Sequence, residues 1–579
     1  MMQRNFNKKG ALKEQVKFKD NSPEWWKRDW FVFAISFLGS LIFLLICSGY
    51  QFLDGDDALQ AIWALAKQKH LDPFLFPLHG FTSRSGTFFL IYLFSFLFPC
   101  PKISYAILSA LGASLSLASL VLYLNSLLGT KAKLTHFLAL VCVAPEIIYA
   151  GLYPNAAVMG YSLGFLAVFL SIRLIRKGAL DWHFIFSGAL FGLASSVAMS
   201  SAYLALAFPL QHLFLKGDRS WSQVIRRFWY EILAGGSVYC LFLGAMGLSP
   251  VSPFQEFSAV VNEFRGTGIR LTLITLLGAF NPWFVLILPA GLILLFIRRA
   301  YLALAVGIAT SVLYLATLGD CLKSFQHALC IYILFCVCAF LILESLPGRL
   351  TRMIYLGLLI LPLFFGLRLY LPEQPHRGPG FSEIDPGKAL SWDEKDALGL
   401  GGFWLWQSPK INLAGHGIRL ALGSGFMLPS VDGGRAFGGY FWAWAMDWKP
   451  YLDSINKAVP IILSSPEQNV VMGQYPVAGI GMYEALAQGY QLISERPHHE
   501  YLFQKGGRKQ NYIFYFNQFS GQVGKKELDL GKYQDTINQA MMVVFPSFAY
   551  RMEQGILGIK GYSLKPLGYC CFRIERKPE

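Results

Sequence analysis

The sequence predicts a polytopic α-helical membrane domain of about eleven spans, followed by a soluble α/β domain. Three observations predict it. First, 54% of the 579 residues are hydrophobic, only 15% are charged, and the mean hydropathy is +0.43, whereas a soluble domain carries about 25% charged residues. Second, the apolar residues gather in stretches of roughly 16–27 residues, about the length that crosses the hydrocarbon core of a bilayer. Third, Lys and Arg fall on alternate sides of those stretches, as the positive-inside rule requires.

In order, the predicted spans are Phe31–Cys47, Ile103–Leu128, Leu134–Ile148, Ala156–Ile175, His183–Ala198, Ser201–Leu215, Phe228–Met246, Leu271–Ile297, Tyr301–Leu318, Ala328–Leu343 and Met353–Leu371. Ser195, Ser196, Ser200 and Ser201 crowd the junction of the fifth and sixth. With the N-terminus inside, the inner segments hold 21 Lys and Arg and the outer loops before the soluble domain hold eight. The net charge is then +13 inside, zero in the outer loops and +2 beyond Leu371, which together make the +15 of the whole chain. The basic balance is thus a topology signal (N-in, C-out) and implies no nucleic-acid partner; an odd span count puts the C-terminal domain outside. Residues 1–30 are polar and basic, which speaks against a conventional cleaved signal peptide. Trp25, Trp26 and Trp30 suit an interface before the first span. The ten Cys residues show no CxxC or zinc spacing and read mostly as packing.

Two segments break the hydropathy pattern. The outer loop 51–102 carries an acidic cluster, a predicted helix over Asp56 to Lys69, the turn His79-Gly80, and the apolar stretch Gly86–Phe98, too short to span and suited to a helix lying in the outer interface. Residues 372–579, entered through a Pro/Gly-rich linker, are enough for one independent core. Val459–Ser464, Asn469–Met472, Tyr512–Phe516 and Met541–Phe545 read as strands, Met482–Gln488 and Lys532–Gln539 as helices, so an α/β layered domain is expected. It shows no P-loop, GxGxxG or nucleophile-elbow pattern.

The most informative residues are Asp54-Gly55-Asp56-Asp57, just after the first span. Three carboxylates beside a bilayer repel one another and are costly unless something uses them. They also read as a solvated loop in which Asp56 caps the following helix and Asp57 favours its dipole. Clustered oxygen ligands suit Mg²⁺ or Mn²⁺, and a divalent ion is left open.

With its flanks, this arrangement resembles the GT-C superfamily of membrane glycosyltransferases, which use polyprenyl-phosphate sugars and include protein O-mannosyltransferases and the lipid A aminoarabinose transferase. Asp56-Asp57-Ala58-Leu59-Gln60 resembles that superfamily's Asp-Glu-x-x-Tyr or Asp-Glu-x-x-Gln, with Asp57 in place of the commoner Glu. His79 through Ser85, then Gly86–Phe98, resembles the stretch where a basic residue, here Arg84, precedes an interfacial helix. Ala144-Pro145-Glu146 sits where the family has a Pro at the outer end of the third span. Gly192-Leu193-Ala194, Gly278 to Trp283 and Lys323 to His327 match further elements in order. The resemblance covers roughly the first 370 residues.

It implies a transferase in which a carboxylate removes the acceptor hydroxyl proton: Asp56, with Asp57 or Asp54 as alternatives. It also implies cations to stabilise the phosphate that leaves, for which Arg84, Arg265, Arg270 and Lys323 are the outer-loop residues. A lone Arg at a helix end also reads as a lipid-headgroup contact. His79, His327 and Glu263 are further candidates for proton transfer or acceptor binding; His70 and Glu256 read as interface or loop residues. Implied partners are a polyprenyl-phosphate sugar donor, the bilayer, and a glycan, lipid or protein acceptor. The branches resembled are largely metal-independent. The competing classes are a lipid or glycan transporter or flippase, whose internal repeat and deeply placed acids this sequence lacks, and a non-catalytic envelope assembly protein. No Asn-x-Ser/Thr sequon occurs, which agrees with a bacterial inner membrane and a periplasmic C-terminal domain.

Overall fold

A computed structural model describes residues 24–47, 55–70, 84–152, 154–217, 219–255, 258, 284–318, 329–369, 470–474, 483–484, 486–489, 491–492, 500–504, 511–517, 542–544, 562–568 and 571–576. Fourteen α-helices are described: α1 Glu24–Cys47, α2 Gly55–Gln68, α3 Ser85–Ser95, α4 Pro101–Leu128, α5 Leu134–Val143, α6 Pro145–Leu152, α7 Ala156–Lys177, α8 Phe184–Val197, α9 Ala207–Phe214, α10 Trp221–Ala245, α11 Phe284–Ile297, α12 Tyr301–Leu318, α13 Tyr332–Ser345 and α14 Gly348–Leu369. Residues 29–46 of α1 and the whole of α4, α7 and α10 are long and apolar enough to cross a membrane.

The helices depart from the expected spans where the local chemistry forbids a continuous rod. The expected third span, Leu134–Ile148, is two helices, because Pro145 disfavours helical backbone at Ala144, which takes φ −125° and ψ 57°. Pro145 therefore opens α6 inside the stretch and does not mark its outer end. The expected sixth span begins as a 3₁₀ helix, Met199–Leu206, before α9. There Ser195, Ser200 and Ser201 keep hydroxyls without hydrogen-bond partners among the described residues.

Helix α4 is the centre. Ser109, Gly112 and Ser116 lie on the face it turns to α7: Asn155 N donates to Ser109 Oγ (2.7 Å) and Ser116 Oγ donates to the Val158 carbonyl (3.1 Å). A Cβ on Gly112 would stand 2.9 Å from Met159 Cα. Small residues here let the two backbones meet, the usual device where lipid gives no hydrophobic drive between helices. Helices α8 and α10 repeat it: a Cβ on Gly192 would lie 2.2 Å from the Gly235 carbonyl oxygen. Polar side chains within the bundle turn to their own backbone, as with Ser114 to Ala110 O (2.8 Å), Asn125 to Val121 O (2.8 Å) and Thr310 to Val306 O (2.9 Å).

One end of the bundle collects cations expected inside. Arg173 pairs with Asp29 (2.7 Å), Lys133 with Glu344 (2.5 Å), and Asp181 accepts from both Arg226 and Arg227, the latter at 2.6 Å. Burial of Asp181 raises its pKa, but the two arginine hydrogen bonds and charges outweigh that and hold the carboxyl below its ordinary range.

The described strands are β1 Val470–Gln474, β2 Gln491–Leu492, β3 Glu500–Gln504, β4 Asn511–Asn517, β5 Met542–Val544, β6 Tyr562–Gly568 and β7 Cys571–Arg576. They form one mixed sheet in the order β2-β3-β4-β1-β5-β7-β6. The central β4, β1 and β5 are parallel, with antiparallel strands on each side. Pro566 sits in edge strand β6 beside a bulge, where a missing N–H does no harm. Val459–Ser464 and Lys532–Gln539 lie outside the described residues.

Two outcomes are expected. Gly192→Ala should destabilise the bundle by about 1–3 kcal/mol through overpacking, whereas Gly236→Ala, with nothing within 4 Å of its new Cβ, should not; thermal unfolding in detergent compares them. Asp181→Asn should cost about 1–3 kcal/mol at neutral pH by leaving buried Arg227 short of its carboxylate. Because the folded pKa of Asp181 is lowered, its contribution is present above the ordinary carboxylate range and fades as pH falls through the folded pKa. The deficit of the variant, followed by unfolding at decreasing pH, should shrink in acid.

Candidate functional site

The acidic pair stands on α2, whose sequence explains its position. Ala58 through Ala66 are all buried, so the body of this helix is enclosed on every side. Alanines at 58, 61, 64 and 66 permit close neighbours. The larger Trp63 packs against Phe88 and Tyr92 of α3, with ring centroids at 5.8 and 6.2 Å. The structure starts α2 at Gly55, so Asp56 and Asp57 are its second and third residues. Asp56 is therefore inside the first turn and does not cap it.

Four residues beyond Asp56, Gln60 is 0% exposed and accepts from Tyr105 Oη of α4 at 2.6 Å. Among the described residues its Nε2 has no hydrogen-bond partner, nor has Trp63 Nε1 one turn on. A buried donor without a partner costs about 1–3 kcal/mol, so the two mark α2 as a helix carrying unused hydrogen-bonding capacity beside its acidic turn.

Arg84 is half-buried and immediately precedes α3, with φ −131° and no side-chain capping bond. Helix α3 then packs one face inward, through Ser85, Thr87, Phe88 and Ile91, while Phe89 and Leu93 stay exposed. Thr87 Oγ1 donates to the Val197 carbonyl at the end of α8 (2.6 Å), and Ser85 Oγ has no partner among the described residues. The acidic turn of α2 and the residue that precedes α3, Arg84, are thus carried by two helices held together by the tilted and edge-on ring contacts of Trp63. His70 follows α2 in left-handed backbone (φ 56°) and is exposed.

Asp54, His79, Glu256, Glu263, Arg265, Arg270, Gly278 to Trp283, Lys323 and His327 lie outside the described residues. Among the described residues no three His, Cys, Asp or Glu gather as a metal site needs. Gln60 and Trp63 joined the site only in the structure; the sequence signal was Gln60 closing the Asp56–Gln60 motif, which says nothing about burial. An apolar groove of about 790 Å³ lies apart, between the stretch containing Leu206 and Phe214 and the α12 face of Tyr301, Ile308 and Val312.

The described fold is a helical bundle with membrane-length apolar helices, a buried helix α2 laid against its core, and a mixed sheet region. The fold is shared with ArnT from Cupriavidus metallidurans. Its crystal structure bound to undecaprenyl phosphate matches with a TM-score of 0.53, and the apo state with 0.54. In both, identity is 13% and the match covers 93% of this chain and 97% of the other. At that identity the likeness establishes the fold. No family model matches the sequence, and no curated protein does.

Tyr105→Phe should destabilise the bundle by about 1–3 kcal/mol, because Gln60 Oε1 then lies buried without a donor. Adding Gln60→Met to that variant should recover most of the loss, since both polar partners are gone. Thermal unfolding of the two single variants and the double variant completes the cycle.

Proposed function

We propose that this chain is a glycosyltransferase that moves a sugar from a polyprenyl-phosphate donor to an acceptor on the outer face of a membrane. The observation that carries the reading is the fold shared along 93% of the chain with a protein crystallised with undecaprenyl phosphate. The acidic first turn of α2, at the end of the bundle opposite the Asp29, Glu344 and Asp181 ion pairs, supports it.

The reaction is a single displacement with inversion. Asp56 takes the proton of an acceptor hydroxyl as its oxygen bonds to the anomeric carbon. The bond from that carbon to the phosphate oxygen breaks, and the lipid phosphate leaves with the electron pair. Arg84 stabilises the phosphate, joined by Arg265, Arg270 and Lys323, since cations act most strongly where water is excluded. Asp57 and Asp54 are the alternative bases, and His79, His327 or Glu263 assist the acceptor. The acceptor is a glycan, lipid or protein. The setting is a bacterial inner membrane, with the sheet-bearing region in the periplasm.

The test is transfer from a panel of radiolabelled polyprenyl-phosphate sugars in membranes, comparing wild type with Asp56→Asn at equal expression. Wild type should label an acceptor, and the variant should lose about 10²–10⁴-fold in rate. Full transfer by the variant would move the base to Asp57 or Asp54. No transfer from any donor would overturn the reading.

A further inference from the structure

Helix α4 begins without a cap of its own. Cys100 makes no side-chain capping bond and Pro101 has no N–H to offer, so Lys102 N is the first orphan donor of the helix. Its acceptor comes from 381 residues away: Lys102 N donates to Tyr483 Oη at 3.1 Å. The same phenol lies 3.7 Å from Cys100 Sγ, and Lys102 Nζ pairs with Glu484 Oε1 at 2.6 Å. Tyr483 is 2% exposed and Leu486 0%, and both join the core that contains α2 and α4.

The same short helical segment also holds α2. Lys69 Nζ, just past the last turn of that helix, donates to the Leu486 carbonyl at 2.6 Å and to the Ala487 carbonyl at 3.3 Å. The Leu486 carbonyl also accepts from Gly489 N (3.2 Å), so Lys69 adds a second donor at the end of the segment. The segment thus ties the end of α2 to the start of α4. It leads directly into β2 of the sheet.

Because Ala58 to Ala66 are buried on all sides, α2 behaves as a rod. Its acidic turn lies about 18 Å from Lys69 at 1.5 Å per residue. A displacement at the Lys69 end moves the whole rod along its sleeve of neighbours, because a packed interior deforms as discrete elements.

We propose that Tyr483, Glu484, Leu486 and Ala487 form a positioning strap through which the sheet-bearing region fixes α2, and with it the acidic first turn, against α4. Tyr483 is its central positioning residue, since it alone supplies the cap of α4 from a buried place in the shared core. The effect on turnover rests on the transferase reading. The mechanical coupling does not.

The experiment is hydrogen–deuterium exchange of the full-length protein in detergent, with Lys102→Glu, Glu484→Lys, the double charge swap, and the milder Tyr483→Phe and Lys69→Met. Each single variant should raise exchange in residues 55–69 as well as 483–489, with α7 unchanged, and the double swap should restore protection in both. In the transfer assay the single variants should lose about ten- to a hundredfold in kcat with donor KM nearly constant, as misplacement of a reacting group does. Faster exchange in 483–489 with no change in α2 would overturn the proposal, as would unchanged exchange in both. Coupled exchange with no transfer from any donor would leave the strap standing and remove the transferase reading.

Discussion

Ser109, Gly112 and Ser116 bring α4 and α7 to backbone contact, and the rest of the bundle is arranged around that seam. Two helices cannot approach to where a glycine hydrogen faces a Cα unless their side chains on that face nearly vanish. Once they do, dispersion and the Ser109 and Ser116 hydrogen bonds replace the hydrophobic drive that lipid removes. Tyr105, Tyr123 and Tyr161 then fill the space beside the seam, and each is fully buried. Gln211 Nε2 reaches Tyr123 Oη at 3.0 Å, tying α9 to the same centre. α1, α6 and α3, and to a smaller extent α2, α5, α12 and α13, pack on the remaining faces of α4.

The two ends of α4 are treated differently by the chain. Its C-terminal end is surrounded by charge: Arg176 donates to the Ser126 carbonyl, Ala132 N donates to Asp29, and Lys133 meets Glu344. Its N-terminal end is completed by a distant phenol and the Lys102–Glu484 ion pair. That asymmetry gives the bundle a charged end, where ion pairs satisfy one another, and an end where α2, α3 and the strap meet.

Sharing a fold with ArnT at 13% identity is consistent with how such a bundle is specified. Close seams require small residues at a few positions, and helix lengths follow the bilayer. Most other positions need only be apolar and of suitable volume. Sequence can therefore drift far while the architecture remains, and the residues that carry chemistry have to be identified one at a time.

Much of the bundle was legible because membrane helices announce themselves by composition. The expected span Tyr301–Leu318 coincides with α12, and Ile103–Leu128 falls inside α4. The helix over Asp56 to Lys69 and the stretch beginning at Gly86 were also legible, as α2 and α3, from polarity and length. Where the reading erred, a local backbone effect decided: Pro145 divides one expected span, a 3₁₀ start replaces the head of another, and Gly55 moves Asp56 from cap to first turn. What sequence alone determined here is which segments leave water, because burial in lipid depends on residues summed over a window. What only the tertiary structure decided is which polar groups meet, because Gln60 with Tyr105 and Lys102 with Tyr483 are 45 and 381 residues apart. Contacts of that kind are set by packing across the whole core, and no window of sequence contains both partners.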